Sequence, residues 1–109
     1  MQTIFLTWLR SITSVFSSDF FWGVSISEYQ NSGSETVNNC NWAEWEKETN
    51  LDSSISNGHF EDYKTHIDAV EELGCNAFRF SLEWSMIEPE EGVFDAEVIE
   101  RYREEIIAL

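Results

Sequence analysis

Arg79 sits within Asn76-Ala77-Phe78-Arg79-Phe80-Ser81-Leu82, where Phe78 and Phe80 fall on one face and Ala77, Arg79 and Ser81 on the other. A permanent cation on a face otherwise made of small residues needs an anion, either a structural partner or a group in a site. His59, Asp62 and His66 have the residue types and the helical spacing of a zinc site, but three ligands with no fourth nearby read as surface residues. The two cysteines, Cys40 and Cys75, are too few for a disulfide framework and read as reduced structural thiols, which fits a cytoplasmic location. No phosphate-cradling glycine loop and no Ser-His-Asp arrangement can be assembled.

Composition narrows the partners. The 109 residues suit one small domain, and the hydrophobic fraction of 42% with 15% aromatic supplies enough apolar surface to exclude a disordered chain. The formal net charge is −15, with Arg10, Lys47, Lys64, Arg79, Arg101 and Arg103 as the cations. Such a chain repels phosphate backbones and anionic lipid, so neither nucleic acid nor a membrane surface is expected as a partner. The apolar stretch near Met1 is short and is followed, not preceded, by Arg10, which argues against a signal peptide. No apolar run approaches the roughly 20 residues that span a bilayer. Residues 1–18 read as an N-terminal extension, and 19–109 as the folded part.

The elements that must position Arg79 follow from the local patterns. Phe20 to Ser25 reads as a short buried strand, with Gly23 permitting a close backbone approach. Ile26 to Gly58 reads as a long polar loop holding one short helix, Trp42 to Glu48, with Trp42 and Trp45 on one face. From His59 to Leu73, Phe60, Tyr63, Ile67 and Val70 recur at helical spacing, and Gly74 stops the helix. The strand with Arg79 follows at once. A turn at Glu90 to Phe94 leads to a second helix capped by Asp95, with Val98, Ile99, Tyr102, Ile106 and Leu109 on its expected buried side. Two strands joined through a helix imply a parallel pair, hence an α/β protein; the pattern does not choose between a barrel and an open doubly wound sheet.

Three motifs carry a resemblance. Phe20-Phe21-Trp22-Gly23 through Tyr29-Gln30-Asn31-Ser32-Gly33 resembles the Phe-x-Trp-Gly-x-Ala-Thr-x-x-Tyr-Gln-x-Glu-Gly signature of glycoside hydrolase family 1, the β-glucosidase family. Tyr63-Lys64 through Leu73-Gly74 resembles that family's first barrel helix. Phe78-Arg79-Phe80-Ser81-Leu82-Glu83-Trp84-Ser85 is similar to its Tyr-Arg-Phe-Ser-x-x-Trp-Ser-Arg motif. The chain departs from the pattern at Ser32 (glutamate in the family), Met86 (arginine), His66 (aspartate) and Asp62 (arginine).

The resemblance implies a TIM (β/α)8 barrel of which this chain holds the first two βα units. It implies a retaining hydrolase of β-linked glycosides, with a small-molecule β-glycoside as partner and no metal or organic cofactor. By the same resemblance, Gln30 hydrogen-bonds hydroxyls of the innermost sugar, and Arg79 sits beside the nucleophilic glutamate and keeps it ionised. The two catalytic glutamates, which a retaining enzyme holds about 5–5.5 Å apart, lie in motifs on later strands and are expected beyond residue 109. Ile87-Glu88-Pro89 only mimics one of them and reads as a turn. A closed barrel takes roughly 250 residues, so the chain is expected to be an inactive N-terminal piece. The alternatives are a sugar-binding remnant without catalysis and a half-barrel that oligomerises through its open edges.

Overall fold

The computed structural model describes residues 16–109, so most of the extension at residues 1–18 lies outside the described residues. Strand β1, Gly23–Ser25, and strand β2, Ala77–Arg79, pair in parallel with Gly23 opposite Ala77, Val24 opposite Phe78 and Ser25 opposite Arg79. Both strands are shorter than the patterns suggest. The pairing is extended at its start by Asn76, whose backbone N–H donates to Trp22 O at 2.8 Å. Its side chain accepts from Trp22 N at 2.7 Å and donates to Phe20 O at 3.0 Å. At the other end Ile26 N donates to Arg79 O at 2.9 Å. Gly23 is required by this approach, because a Cβ there would stand 2.6 Å from Ala77 O.

Three helices link the strands: α1 Glu28–Thr36, α2 Asn41–Thr49 and α3 Tyr63–Glu72. After β2 come the single turn α4, Trp84–Ile87, and α5, Ala96–Ala108. The long polar passage is therefore largely helical, a correction to its reading as a loop. Its first helix carries no apolar stripe of helical period: Glu28, Tyr29, Ser32 and Gly33 are its buried residues. It also breaks at Gly33, where φ is +80° and a Cβ would meet Ser53 O at 2.8 Å.

The Asp95 cap matches the sequence, whereas the helix expected from His59 starts only at Tyr63 and takes its cap from Asp62. Asp62 Oδ1 accepts from Thr65 N at 3.4 Å to start α3, and Asp95 Oδ1 accepts from Glu97 N at 2.9 Å and Val98 N at 3.1 Å to start α5. Glu88 closes the turn before α5, its Oε1 accepting from Gly92 N at 2.6 Å. Glu88-Pro89 thus belongs to a turn, as the sequence indicates, directly after Ile87 ends α4.

The apolar core is small: Tyr29, Val37 and Ala43 are buried together, with Cys40 and Met86 packed against them. Helix α5 packs on α3 and α4, yet the apolar stripe expected to bury it does not. Tyr102 is 3% exposed, whereas Ile99 is 42%, Ile106 56% and Leu109 53% exposed. The face of α5 that is buried instead is polar, with Glu105 completely enclosed beside Tyr102. Nothing among the described residues covers Ile99, Ile106 and Leu82, which line an open hollow of about 440 Å³ with Tyr102.

Candidate functional site

In parallel α/β sheets, chemistry collects beyond the carboxyl ends of the strands. Here that edge is formed by Ser25 and Arg79, the final and directly paired residues of β1 and β2. Arg79 projects from it, exposed, and its Nη1 donates to Ser25 Oγ at 3.1 Å. No carboxylate forms an ion pair with it among the described residues, so the anion sought from the sequence is not a structural partner there. The face on which Arg79 was expected to be interior is open.

Gln30 lies in the first turn of α1, which begins three residues after β1 ends, and it too is exposed. With Ser27, Tyr29 and Trp42 it lines a shallow hollow of about 170 Å³. Trp42 and Trp45 flank this region as a tilted pair with ring centroids 5.0 Å apart, and both remain about half exposed. The helix that bears Gln30 is held by its buried side: Tyr29 Oη donates to Glu46 Oε2 at 2.8 Å, joining α1 to α2. Burial and the adjacent Glu46 carboxylate push the Tyr29 hydroxyl up to about 12.

A second polar assembly lies behind the strand edge, and sequence reading missed it. Among the described residues the largest fully buried side chains are His59, Glu28, Glu105 and Val37, three of them ionisable. His59 Nε2 is 3.0 Å from Glu105 Oε1, and His59 Nδ1 is 2.7 Å from His66 Nδ1. Arg101 ties the group together. Its Nη1 donates to Glu105 Oε2, its Nε to Phe60 O at 2.6 Å and its Nη2 to His59 O at 2.9 Å. The guanidinium also lies over the rings of Tyr63 at 4.3 Å and Phe60 at 4.7 Å. From α1, Ser32 Oγ donates to Glu28 Oε1 and accepts from Phe60 N at 3.1 Å.

Electrostatics divides the two buried carboxylates. Burial works to raise Glu105, but hydrogen bonds from His59 and Arg101 outweigh it and hold the group below its ordinary value of 4.5. Burial dominates at Glu28, and the Ser32 hydrogen bond and the nearby His59 and Arg101 charges do not offset it, so its carboxyl is raised. Glu28 Oε2 is buried without a hydrogen-bond partner.

The trio His59, Asp62 and His66 is not assembled as a metal site. The two imidazoles face each other and Asp62 turns away to cap α3. Among the described residues no group of three or more His, Cys, Asp or Glu side chains is placed to hold a metal ion. Cys40 and Cys75 are both free and half-buried. No described helix is long and apolar enough to cross a membrane.

The geometry therefore presents two exposed polar side chains, Gln30 and Arg79, beyond a parallel strand pair, braced from behind by a buried ionic network. The model of glycosyl hydrolase family 1 matches residues 12–107. The chain belongs to this family. It is 31% identical over 83 residues to beta-glucosidase A of Thermotoga maritima, covering 69% of this chain and 19% of that protein. It is 36% identical over 85 residues to beta-glucosidase 42 of Arabidopsis thaliana, covering 71% of this chain and 17% of that protein. Among solved structures, the beta-glycosidase from Pyrococcus horikoshii superposes with a TM-score of 0.69 at 35% identity, over 85% of this chain and 22% of that one. The AHE enzyme from Alicyclobacillus herbarius superposes with a TM-score of 0.74 at 25% identity, over 86% of this chain and 23% of that one. The chain thus spans about a fifth of the length of the relatives it matches. The fold is a partial α/β region of a family of TIM barrels.

Proposed function

We propose that this chain supplies the first two βα units, and with them part of the sugar site, of a retaining β-glycosidase that hydrolyses O-glycosyl bonds. Gln30 is the hydrogen-bonding partner of hydroxyls on the innermost sugar. Arg79 is the cation that holds the nucleophilic glutamate ionised. Neither catalytic glutamate is among the 109 residues, so the chain by itself does not turn over substrate.

One observation carries this reading: Arg79 ends β2 exposed, beyond the carboxyl edge of a parallel pair, with the neutral Ser25 hydroxyl as its one side-chain partner among the described residues. A guanidinium in that position is available to a carboxylate from another strand, whose charged form it would favour. The test is an assay of the purified chain on an aryl β-glucoside. No turnover is expected. Turnover abolished by a glutamate-to-glutamine change within the chain would overturn the proposal.

The hollow lined by Ser27, Tyr29, Gln30 and Trp42 supports a second reading, sugar binding without catalysis. Titration with gluconolactone separates the two: saturable quenching of tryptophan fluorescence that is lost in Gln30→Ala would establish binding by this chain alone.

A further inference from the structure

We propose that Asn57 is a site of spontaneous covalent modification, deamidating through attack by the backbone nitrogen of Gly58, and that the change releases a clamp on α1. Asn57 is the only asparagine of the chain followed by glycine. That pairing hinders the cyclisation least, because glycine brings no side chain up against the attacking nitrogen. The surroundings leave the pair free to react. Ile55, Ser56 and Asn57 are all exposed, and neither backbone group of Asn57 enters a backbone hydrogen bond among the described residues. A Cβ at Gly58 would meet only Glu61 Oε2, at 3.8 Å. The Gly58 N–H donates to the Ser56 hydroxyl at 3.3 Å, a long contact that water can replace.

The step balances with water as the only reagent. Base removes the Gly58 amide proton, the nitrogen attacks Asn57 Cγ, and the Cγ–Nδ2 bond breaks as ammonia leaves a cyclic succinimide. Water then opens the ring at either carbonyl, giving aspartate or isoaspartate and one new carboxylate. The clamp is what that carboxylate cannot replace. Asn31 Nδ2 donates to Ser27 O at 2.8 Å, a carbonyl that can only accept, so Asn31 Oδ1 is the atom left for Asn57. Asn57 Nδ2 donates to that oxygen at 2.8 Å. A carboxylate at position 57 has no proton to give. It either faces Asn31 Oδ1 directly or turns the Asn31 amide over and sets Oδ1 against Ser27 O. One of the two bonds is lost in each case. Asn31 O also accepts from His59 N at 3.1 Å, so the clamp helps tie residues 57–59 to the part of α1 that bears Gln30.

The experiment incubates the folded 109-residue chain at mildly alkaline pH, follows its intact mass and locates the change by peptide fragmentation. Exchange of an amide NH2 for OH should accumulate at Asn57 before any other asparagine, as a mixture of aspartyl and isoaspartyl peptides. Asn57→Gln keeps the amide but closes the ring poorly, and it should lack this product. No gain at position 57 of the folded chain, or an earlier gain at another asparagine, would overturn the proposal, whatever the urea-unfolded chain does. Urea midpoints test the clamp. Asn57→Asp should lower the folding constant about two- to tenfold, the worth of one hydrogen bond. The loss should vanish in an Asn31→Ala background, where no side-chain oxygen is left to face. Reacted chain, separated from unreacted chain by anion exchange, gives the same comparison without substitution and should unfold at lower urea. Equal midpoints for the two fractions, or an Asn57→Asp loss undiminished by Asn31→Ala, would overturn the clamp.

Discussion

Arg79 donates from Nη1 to Ser25 Oγ at 3.1 Å, linking the last residues of the two paired strands through one hydrogen bond to a neutral hydroxyl. A buried ion pair would make Arg79 indispensable to folding, but the side chain is exposed. Arg79→Met should therefore shift the urea midpoint by the equivalent of less than about 0.5 kcal/mol. A variant that no longer unfolds cooperatively would reveal a structural anion against Arg79.

Gly23 is the tighter constraint on the same strand pair. A methyl group there would stand 2.6 Å from Ala77 O and 2.9 Å from Ala77 Cβ, backbone and side chain of the paired residue. The strands would have to separate. Gly23→Ala should cost about 1–3 kcal/mol in chemical denaturation, more than the loss of the Arg79 guanidinium. Equal midpoints for the two variants would show that the sheet relaxes freely.

The difference between these two residues also marks what was legible in the sequence. Gly23, the Asp95 cap and the stop at Gly74 are local: each acts through neighbours within a few residues or through an adjacent strand, and each is in place. Phe78 and Phe80 share a face as their alternation requires, with ring centroids 5.8 Å apart. The polar network was not legible because His59 and Glu105 are 46 residues apart in the chain. Arg101 and Glu105 stand at helical i, i+4 spacing, but such a pair is ordinarily a surface one. The stripe on α5 failed for a related reason. Periodicity reports which side chains prefer cover, not whether these residues provide it, and Ile106 and Ile107 stay exposed.

Glu46 gives the fold an acid limit. Hydrogen bonds from the Ser53 hydroxyl, with further ones from Tyr29 and Ser53 N, hold its carboxyl below the ordinary 4.5. A depressed folded-state value contributes stability that is present above the unfolded value and is lost as pH falls through the folded one. Glu105 acts in the same direction. Ser53→Ala removes the chief cause at Glu46, so the midpoint of this variant should fall less steeply than the parent's below about pH 4.5. Identical slopes would mean that Ser53 does not stabilise the Glu46 carboxylate.

Glu28 pulls the other way, and its sign is the sharper test of the buried network. Its Oε1 accepts from Ser32 Oγ, its Oε2 has no partner, and burial raises the carboxyl above 4.5. The folded chain thus holds this proton more tightly than the unfolded chain does. The associated stability is complete below the unfolded value and drains away as pH rises through the raised one. Glu28→Gln is uncharged throughout, so it should gain on the parent as pH is taken from about 5 to about 8. The slope is the readout, because the absolute level also depends on where the new amide N–H groups find acceptors. Ser32→Ala should do the reverse, since it strips the one hydrogen bond to the carboxylate and orphans Phe60 N–H as well. If Glu28→Gln tracks the parent at every pH, the carboxyl is reached by water in solution, and the enclosure that sets it apart from Glu105 is lost there.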